Sequence, residues 1–133
     1  MARRRPRGAC PCGSGTPYDA CCGPLHAGER TAATAEQLMR SRYAAFVVAD
    51  PDYLLTTWHP ATRPDPLYLD SEVGWTGLEV LATDAGGPAD RTGVVEFRAS
   101  YVVRGERGAV HEVGRFQRPA DAWLYVRGRL VTE

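Results

Sequence analysis

At 133 residues, with sixteen arginines, no lysine and sixteen acids, the chain carries no formal net charge, so no global field draws it to nucleic acid or an anionic membrane. That length makes about one domain, whose core takes roughly two-thirds of the unfolded surface out of water. Hydrophobic content of 44% and charged content of 24% are those of a soluble globular protein, and no stretch reaches the ~18 apolar residues of a membrane span.

The charge is unevenly spread. Residues 1–30 hold five arginines against Asp19 and Glu29, a local +3, and the remainder holds eleven arginines against fourteen acids, a local −3. Residues 1–8 read as a basic tail built on Arg3, Arg4, Arg5 and Arg7. Such a run is a solvated tail or an electrostatic foot for nucleic acid or an acidic protein. A nucleic-acid contact there predicts salt-sensitive binding that disappears with the tail. The arginines match the basic start of a signal peptide, but no apolar run follows, which points to the cytoplasm.

Residues 9–30 form a Gly/Pro/Cys segment too short and polar to fold unaided. It reads Cys10-Pro11-Cys12-Gly13-Ser14-Gly15, and after Tyr18 it closes with Cys21-Cys22. In a reducing compartment, closely spaced cysteines are metal ligands rather than disulfides. A redox pair is Cys-x-x-Cys, whereas this one is Cys-x-Cys. Four unrelated buried thiols do not fit a segment with almost no core-forming side chains. Four thiolates make a closed tetrahedral zinc site, structural because it leaves no coordination position open. Gly13-Ser14-Gly15 lets backbone amides turn toward the sulfurs. His26 is the alternative to Cys22 as fourth ligand.

Thr34 to Ala49 predicts a helix, opened by Thr34-x-x-Gln37 as a capping box. Leu38, Met39, Ala45, Phe46 and Ala49 fall on one face, with Arg42 in its middle. A second, short helix begins at Asp50, a good N-cap, with Pro51 at its first position and Asp52 complementing the dipole. Leu54, Leu55 and Trp58 supply its apolar side and Pro60 ends it. Residues 60–72 are an irregular loop.

From Trp75 the period becomes two. Leu78, Val80 and Ala82 alternate with Glu79, Leu81 and Thr83. Val95, Phe97, Ala99, Tyr101 and Val103 then form one apolar face opposite Glu96, Arg98, Ser100 and Arg104. A turn at Gly105–Gly108 leads to a strand over Ala109–Arg118, and Pro119–Ala122 turns into another over Trp123–Arg127. Helices first and an antiparallel meander after them predict an α+β domain over residues 31–133, the helices on one face of a curved sheet.

The cysteine segment resembles the SEC-C motif, in its Cys-Cys form, so the resemblance carries all four ligands over as cysteine. That motif also ends the SecA preprotein translocase, where it holds zinc and contacts SecB and the ribosome. Cys21-Cys22-Gly23-Pro24-Leu25-His26-Ala27-Gly28, Leu38-Met39-Arg40-Ser41-Arg42-Tyr43-Ala44-Ala45-Phe46 and Tyr53-Leu54-Leu55-Thr56-Thr57-Trp58-His59-Pro60 resemble the YchJ-like bacterial family over nearly the whole chain. The resemblance implies a SEC-C knuckle before a nuclear-transport-factor-2-like cone of sheet and helices. That family has no settled biochemical role, and its fold hosts isomerases, dehydratases and binding modules alike.

Within the expected cup, Glu112 shares a strand face with Val110, Gly114 and Phe116, which makes it an inward carboxylate. Arg42 is the inward charge on the first helix, and a buried charge needs a partner, so the two are expected to meet. A direct pair in a filled core marks a packing device. A Glu112 of raised pKa beside an open cavity marks acid–base chemistry. His59, after Trp58, is the residue suited to proton transfer near neutral pH or simply a capping cation. Tyr43, Tyr101 and Trp123 are candidate lining residues, although aromatics at these spacings also build cores. No nucleophile–base motif, phosphate loop or second metal cluster is present, so no catalytic residue is assigned. The leading expectation is a zinc-stabilised module. Its knuckle touches a protein or ribosomal partner and its cup takes a small molecule or peptide. The alternative is a small isomerase or hydratase using Glu112 and His59.

Overall fold

The computed structural model describes residue 6 and residues 8–132, which places the tail arginines Arg3, Arg4, Arg5 and Arg7 outside the described residues. Its order is a 3-10 turn (Tyr18–Ala20), α1 (Cys22–His26), α2 (Ala35–Val48), α3 (Pro51–Thr56), β1 (Val73–Ala85), β2 (Thr92–Val103), β3 (Glu106–Gln117) and β4 (Leu124–Leu130). The strands form one antiparallel sheet in the order β1-β2-β3-β4. The chain is thus α+β, a cysteine-rich amino-terminal segment followed by helices on a meander.

Helix α2 starts where its cap dictates. Thr34 Oγ1 accepts the amide of Gln37 at 3.0 Å, and Gln37 Oε1 accepts from the Ala33 amide at 2.7 Å. Its end is a left-handed Ala49 with φ 59°. Leu38, Met39 and Tyr43 join Val95, Phe97, Ala99, Phe116 and Trp123 in the main core. Ala44 and Val48 join Cys10, Cys12, Tyr18 and Cys22 in a second one. The helix is therefore buried on several sides, which erases the single apolar stripe of a surface helix.

Helix α3 begins as its sequence dictates, with Asp50 Oδ1 accepting from the Tyr53 amide at 3.2 Å and Pro51 at the first position. It stops earlier than Pro60. A further turn would bond the Trp58 amide to the Leu54 carbonyl; that amide turns to Leu55 O, and the Leu54 oxygen accepts from Arg42 Nη1 at 2.8 Å. Residues 57–59 are then drawn into β4, since the Tyr125 amide donates to Thr57 O and the His59 amide to Tyr125 O. Trp58 accordingly lies beyond the helix, bridged to Tyr125.

The β2–β3 hairpin also differs from the expected turn at 105–108. Val103 pairs with Glu106, leaving Arg104 and Gly105 as a two-residue loop with φ of 51° and 79°. Positive φ at both positions matches the right-handed twist of the flanking strands, and Gly105 adopts it without strain. β1 carries irregularities between Trp75 and Gly77 and between Val80 and Ala82. The second of these leaves Leu81, 38% exposed, without a register partner; Glu79 before it is exposed too.

Leu54 is fully buried and the adjacent Leu55 is not, which fixes the rotation of α3 on α2. Replacing Leu54 with Ala is expected to lower unfolding free energy by about 2–5 kcal/mol. Leu55→Ala should cost less than half of that, and urea denaturation of both variants checks the difference.

Candidate functional site

Two features stand out. At the amino-terminal end, the Sγ atoms of Cys10, Cys12, Cys21 and Cys22 all lie within 4.8 Å of one another. Cys12 and Cys21 sulfurs are 3.7 Å apart and those of Cys21 and Cys22 4.0 Å. Four thiolates around one ion at metal–sulfur bonds of ~2.3 Å form a tetrahedron with edges of about 3.8 Å. The donor set thus fits a single metal ion. With protons alone the sulfurs divide unequally. Hydrogen bonds from Cys10 and Cys22 push Cys12 far below the usual thiol range. The hydrogen bond with Cys12 pushes Cys10 up to about 11, and hydrogen bonds with Cys10 and Cys12 hold Cys22 high. A cation at the centre would favour the thiolate form at all four.

The chain folds locally to bring the sulfurs together. The Cys10 amide donates to Thr16 O and the Gly13 amide to Cys10 O, while Gly13 and Gly15 turn at φ 84°. Ser14 follows the second sulfur, with its hydroxyl 3.2 Å from Cys21 Sγ. The knuckle is fastened to α2. Arg40 Nη1 donates to Cys12 O at 2.8 Å and its Nε donates to Glu36.

His26 is not a fourth ligand. Its Nε2 donates to Ser41 O at 2.8 Å and its Nδ1 accepts the Tyr18 hydroxyl at 2.7 Å. Both nitrogens are engaged, and the ring stacks 4.7 Å from Tyr53. It works as the pin between knuckle, α2 and α3.

The second feature is a cavity of about 220 Å³ between α2 and the concave face of the sheet. Arg42, Trp58 and Glu112 line it, together with Tyr43 and Tyr125. Arg42 and Glu112 do not pair directly. Arg42 is 5% exposed, and its Nη1 donates to Leu54 O and Thr57 Oγ1 at 2.8 and 2.7 Å. The guanidinium carbon stands 4.9 Å from the Trp58 ring centroid and 4.7 Å from that of Tyr125. Burial lowers Arg42 to about 10, opposed by Tyr125, Tyr53 and Glu112, so it remains a cation at neutral pH. The ring of Tyr125 separates the two charges, and its hydroxyl donates to Glu112 Oε2 at 3.0 Å. Trp58 Nε1 is buried without a hydrogen-bond partner, a condition worth roughly 1–3 kcal/mol when uncompensated.

The remaining pocket candidates lie elsewhere. Trp123 is 1% exposed in the main core, its Nε1 donating to Ala33 O at 3.3 Å. Tyr101 packs edge-on against Trp75 at 5.7 Å. His59 turns back on its own loop, Nδ1 accepting the Ala61 amide at 3.1 Å, since its backbone is committed to Tyr125. Tyr125 itself, the link between Arg42 and Glu112, was not singled out by sequence. Its place opposite Phe116 in the register is the signal that finds it.

The antiparallel cone and the thiol cluster define a class, a SEC-C knuckle on a domain like nuclear transport factor 2. Residues 34–128 match the family model for the YchJ middle NTF2-like domain, and residues 9–24 match that for the SEC-C motif. The chain belongs to this YchJ family. It is 52% identical to a UPF0225 protein of Streptomyces coelicolor over 126 residues, covering 95% of this chain and 98% of that one. It is 47% identical to a UPF0225 protein of Chromobacterium violaceum over 131 residues, covering 96% of each. Among solved structures, a SEC-C motif containing protein from Rhodopseudomonas palustris superposes with a TM-score of 0.81 at 38% identity, over 92% of this chain and 98% of that one. A second, from Psychrobacter arcticus, gives 0.72 at 31% identity, over 94% and 84%. Among the described residues, no helix is long and apolar enough to cross a membrane.

Burial raises the Glu112 carboxyl above its ordinary value, while the Tyr125 hydrogen bond and the Arg42 charge oppose the rise. A raised folded-state pKa means that the native chain binds this proton more tightly than the unfolded one. Stability contributed by Glu112 therefore falls as pH climbs from the unfolded carboxylate range through the raised value. Glu112→Gln should flatten that part of the stability–pH curve, and Tyr125→Phe should push Glu112 higher still. Carbon-detected NMR titration of the carboxyl reads both.

Proposed function

We propose that the protein is a zinc-stabilised binding module. Cys10, Cys12, Cys21 and Cys22 hold one structural zinc, and the cup beneath α2 takes a small-molecule or peptide ligand. The observation that carries the first half is the set of four sulfurs within 4.8 Å of one another, three of them buried. Tetrahedral all-thiolate coordination suits zinc, and a fully protein-ligated ion has no position for substrate. When bound, the zinc supplies charge neutralisation and a fixed turn, and no reaction chemistry. The SEC-C likeness supports a protein or ribosomal partner for the knuckle, and four arginines among residues 1–8 favour an acidic one. The domain boundaries we assign are 9–30 for the knuckle and 31–133 for the cup, with the cytoplasm as the compartment.

The cup supports ligand binding because it is open. Arg42 and Glu112 stand apart with space beside them, where a purely structural ion pair would close. One observation favours a second reading, acid–base catalysis: the half-buried Glu112 faces this cavity with a raised pKa. His59, turned away, is not its partner.

Elemental mass spectrometry of protein purified without added zinc is expected to give about one zinc per chain. The Cys10→Ser, Cys12→Ser double variant should contain none. Because the second core joins the cysteines to Ala44 and Val48, the same variant should also melt at lower temperature. Metal-free native protein with four titratable thiols would refute the assignment.

A further inference from the structure

The walls of the cup discriminate among ligands by charge. Two charged side chains line it, Arg42 and Glu112, of opposite sign. An anion meets Glu112, and on Arg42 it finds Nη1 held by Leu54 O and Thr57 Oγ1 and the guanidinium carbon against two rings. A cation is drawn to Glu112 but meets the Arg42 charge beside it. The ring faces that would hold it, those of Trp58 and Tyr125, already carry that guanidinium. Neither ion is well served.

A neutral molecule is. Tyr43, Phe46, Trp75 and Phe97 join Trp58 and Tyr125 in the wall, and aromatic walls stack on flat rings. The volume of about 220 Å³ sets the size, since an apolar cavity of about 150 Å³ already holds benzene. One polar group remains to be served. Glu112 accepts the Tyr125 hydroxyl on one oxygen, and an ionised carboxylate has about four acceptor sites, so acceptor capacity is left over on the cavity wall.

We infer that the cup takes a small, uncharged, flat ring compound whose edge offers a hydrogen-bond donor to Glu112. This rests on the reading of the cup as a ligand site.

Benzamide, benzoate and benzamidinium share one shape and differ in charge at neutral pH, which makes them the probes. Each is titrated into 15N-labelled full-length protein while the indole N–H signals of Trp58, Trp75 and Trp123 are followed. Trp123, hydrogen-bonded to Ala33 O in the core, is the internal control. Benzamide should shift Trp58 and Trp75 saturably, leave Trp123 in place, and bind at least about tenfold more tightly than either ion. Acetophenone, which keeps the acceptor and lacks the donor, should bind more weakly than benzamide. Val110→Phe and Ala99→Leu, which fill the cup from its floor, should each abolish the shifts. Glu112→Gln removes the anion beside Arg42, so benzoate should gain on benzamide in that variant.

A benzoate or benzamidinium that binds most tightly overturns the charge argument and leaves the cup a ligand site. Acetophenone equal to benzamide, or no gain for benzoate in Glu112→Gln, overturns the assigned contacts. No shift of Trp58 or Trp75 by any probe overturns this inference and the ligand-site reading together. Shifts that survive in both filled variants place binding elsewhere and overturn it as well.

Discussion

The fold turns on a buried cation. Moving a guanidinium out of water costs several kcal/mol unless its donors and charge are answered, and Arg42 is answered by pieces from across the chain. Leu54 and Thr57 give oxygens from the end of α3, Trp58 gives a ring from the segment after it, and Tyr125 gives another from β4. Arg42 meets the Leu54 carbonyl where the helix ends, and the Trp58 amide bonds Leu55 O. The backbone that follows pairs with Tyr125. One side chain thus gathers a helix end, its exit and the far edge of the sheet at one wall of the cup.

Helix α2 presents that arginine and also carries the knuckle. Arg40 holds the Cys12 carbonyl, and Ala44 and Val48 pack among the cysteines. Met39, Arg42, Tyr43 and Phe46 face the cavity from the same few turns. A knuckle of some twenty residues has too little apolar surface to hold itself together. Its order comes from the thiol cluster within and from α2 without. The knuckle and the cup share one wall, and His26, held by Tyr18 and Ser41, keys the first to the second.

Much of this was legible in the residues. Thr34-x-x-Gln37 and Asp50-Pro51 specify helix starts through local hydrogen bonds, and the structure has both caps. The alternation from Val95 to Val103 marks β2 and its buried face, because a strand periodicity needs no knowledge of its neighbours. The spacing of the four cysteines reflects chemistry confined to thirteen residues. What failed was long-range. The end of α3 goes with the pairing of Thr57 and His59 to Tyr125, far along the chain. The separation of Arg42 from Glu112 depends on Tyr125, whose register is set across two hairpins. Trp123 takes the core alternative that its spacing also allowed, and His59 turns to its own loop while its amide bonds Tyr125 O.

The departures from ordinary packing gather in one place. Glu112 is a half-buried carboxyl on an otherwise apolar strand face. Its oxygen lies where a Cβ on Gly128 would stand, and Gly128 pairs with Gly114 in the adjoining strand. Glycine inside strands weakens a sheet, so two of them facing each other beside a desolvated carboxylate is a costly arrangement that an aliphatic side chain at 112 would avoid. Arg42 is a buried charge, and Trp58 Nε1 a buried donor without an acceptor. Around Leu38, Val95 and Trp123, on the other side of the same core, the apolar packing is conventional. Sequences that specify a fold are consistent across levels and depart from consistency at sites of function. Here the residues that carry the buried cation, the desolvated carboxyl and the unanswered indole border a single cavity. Their concentration there, rather than any one of them, is what marks the cup as the part of the molecule shaped for something other than folding.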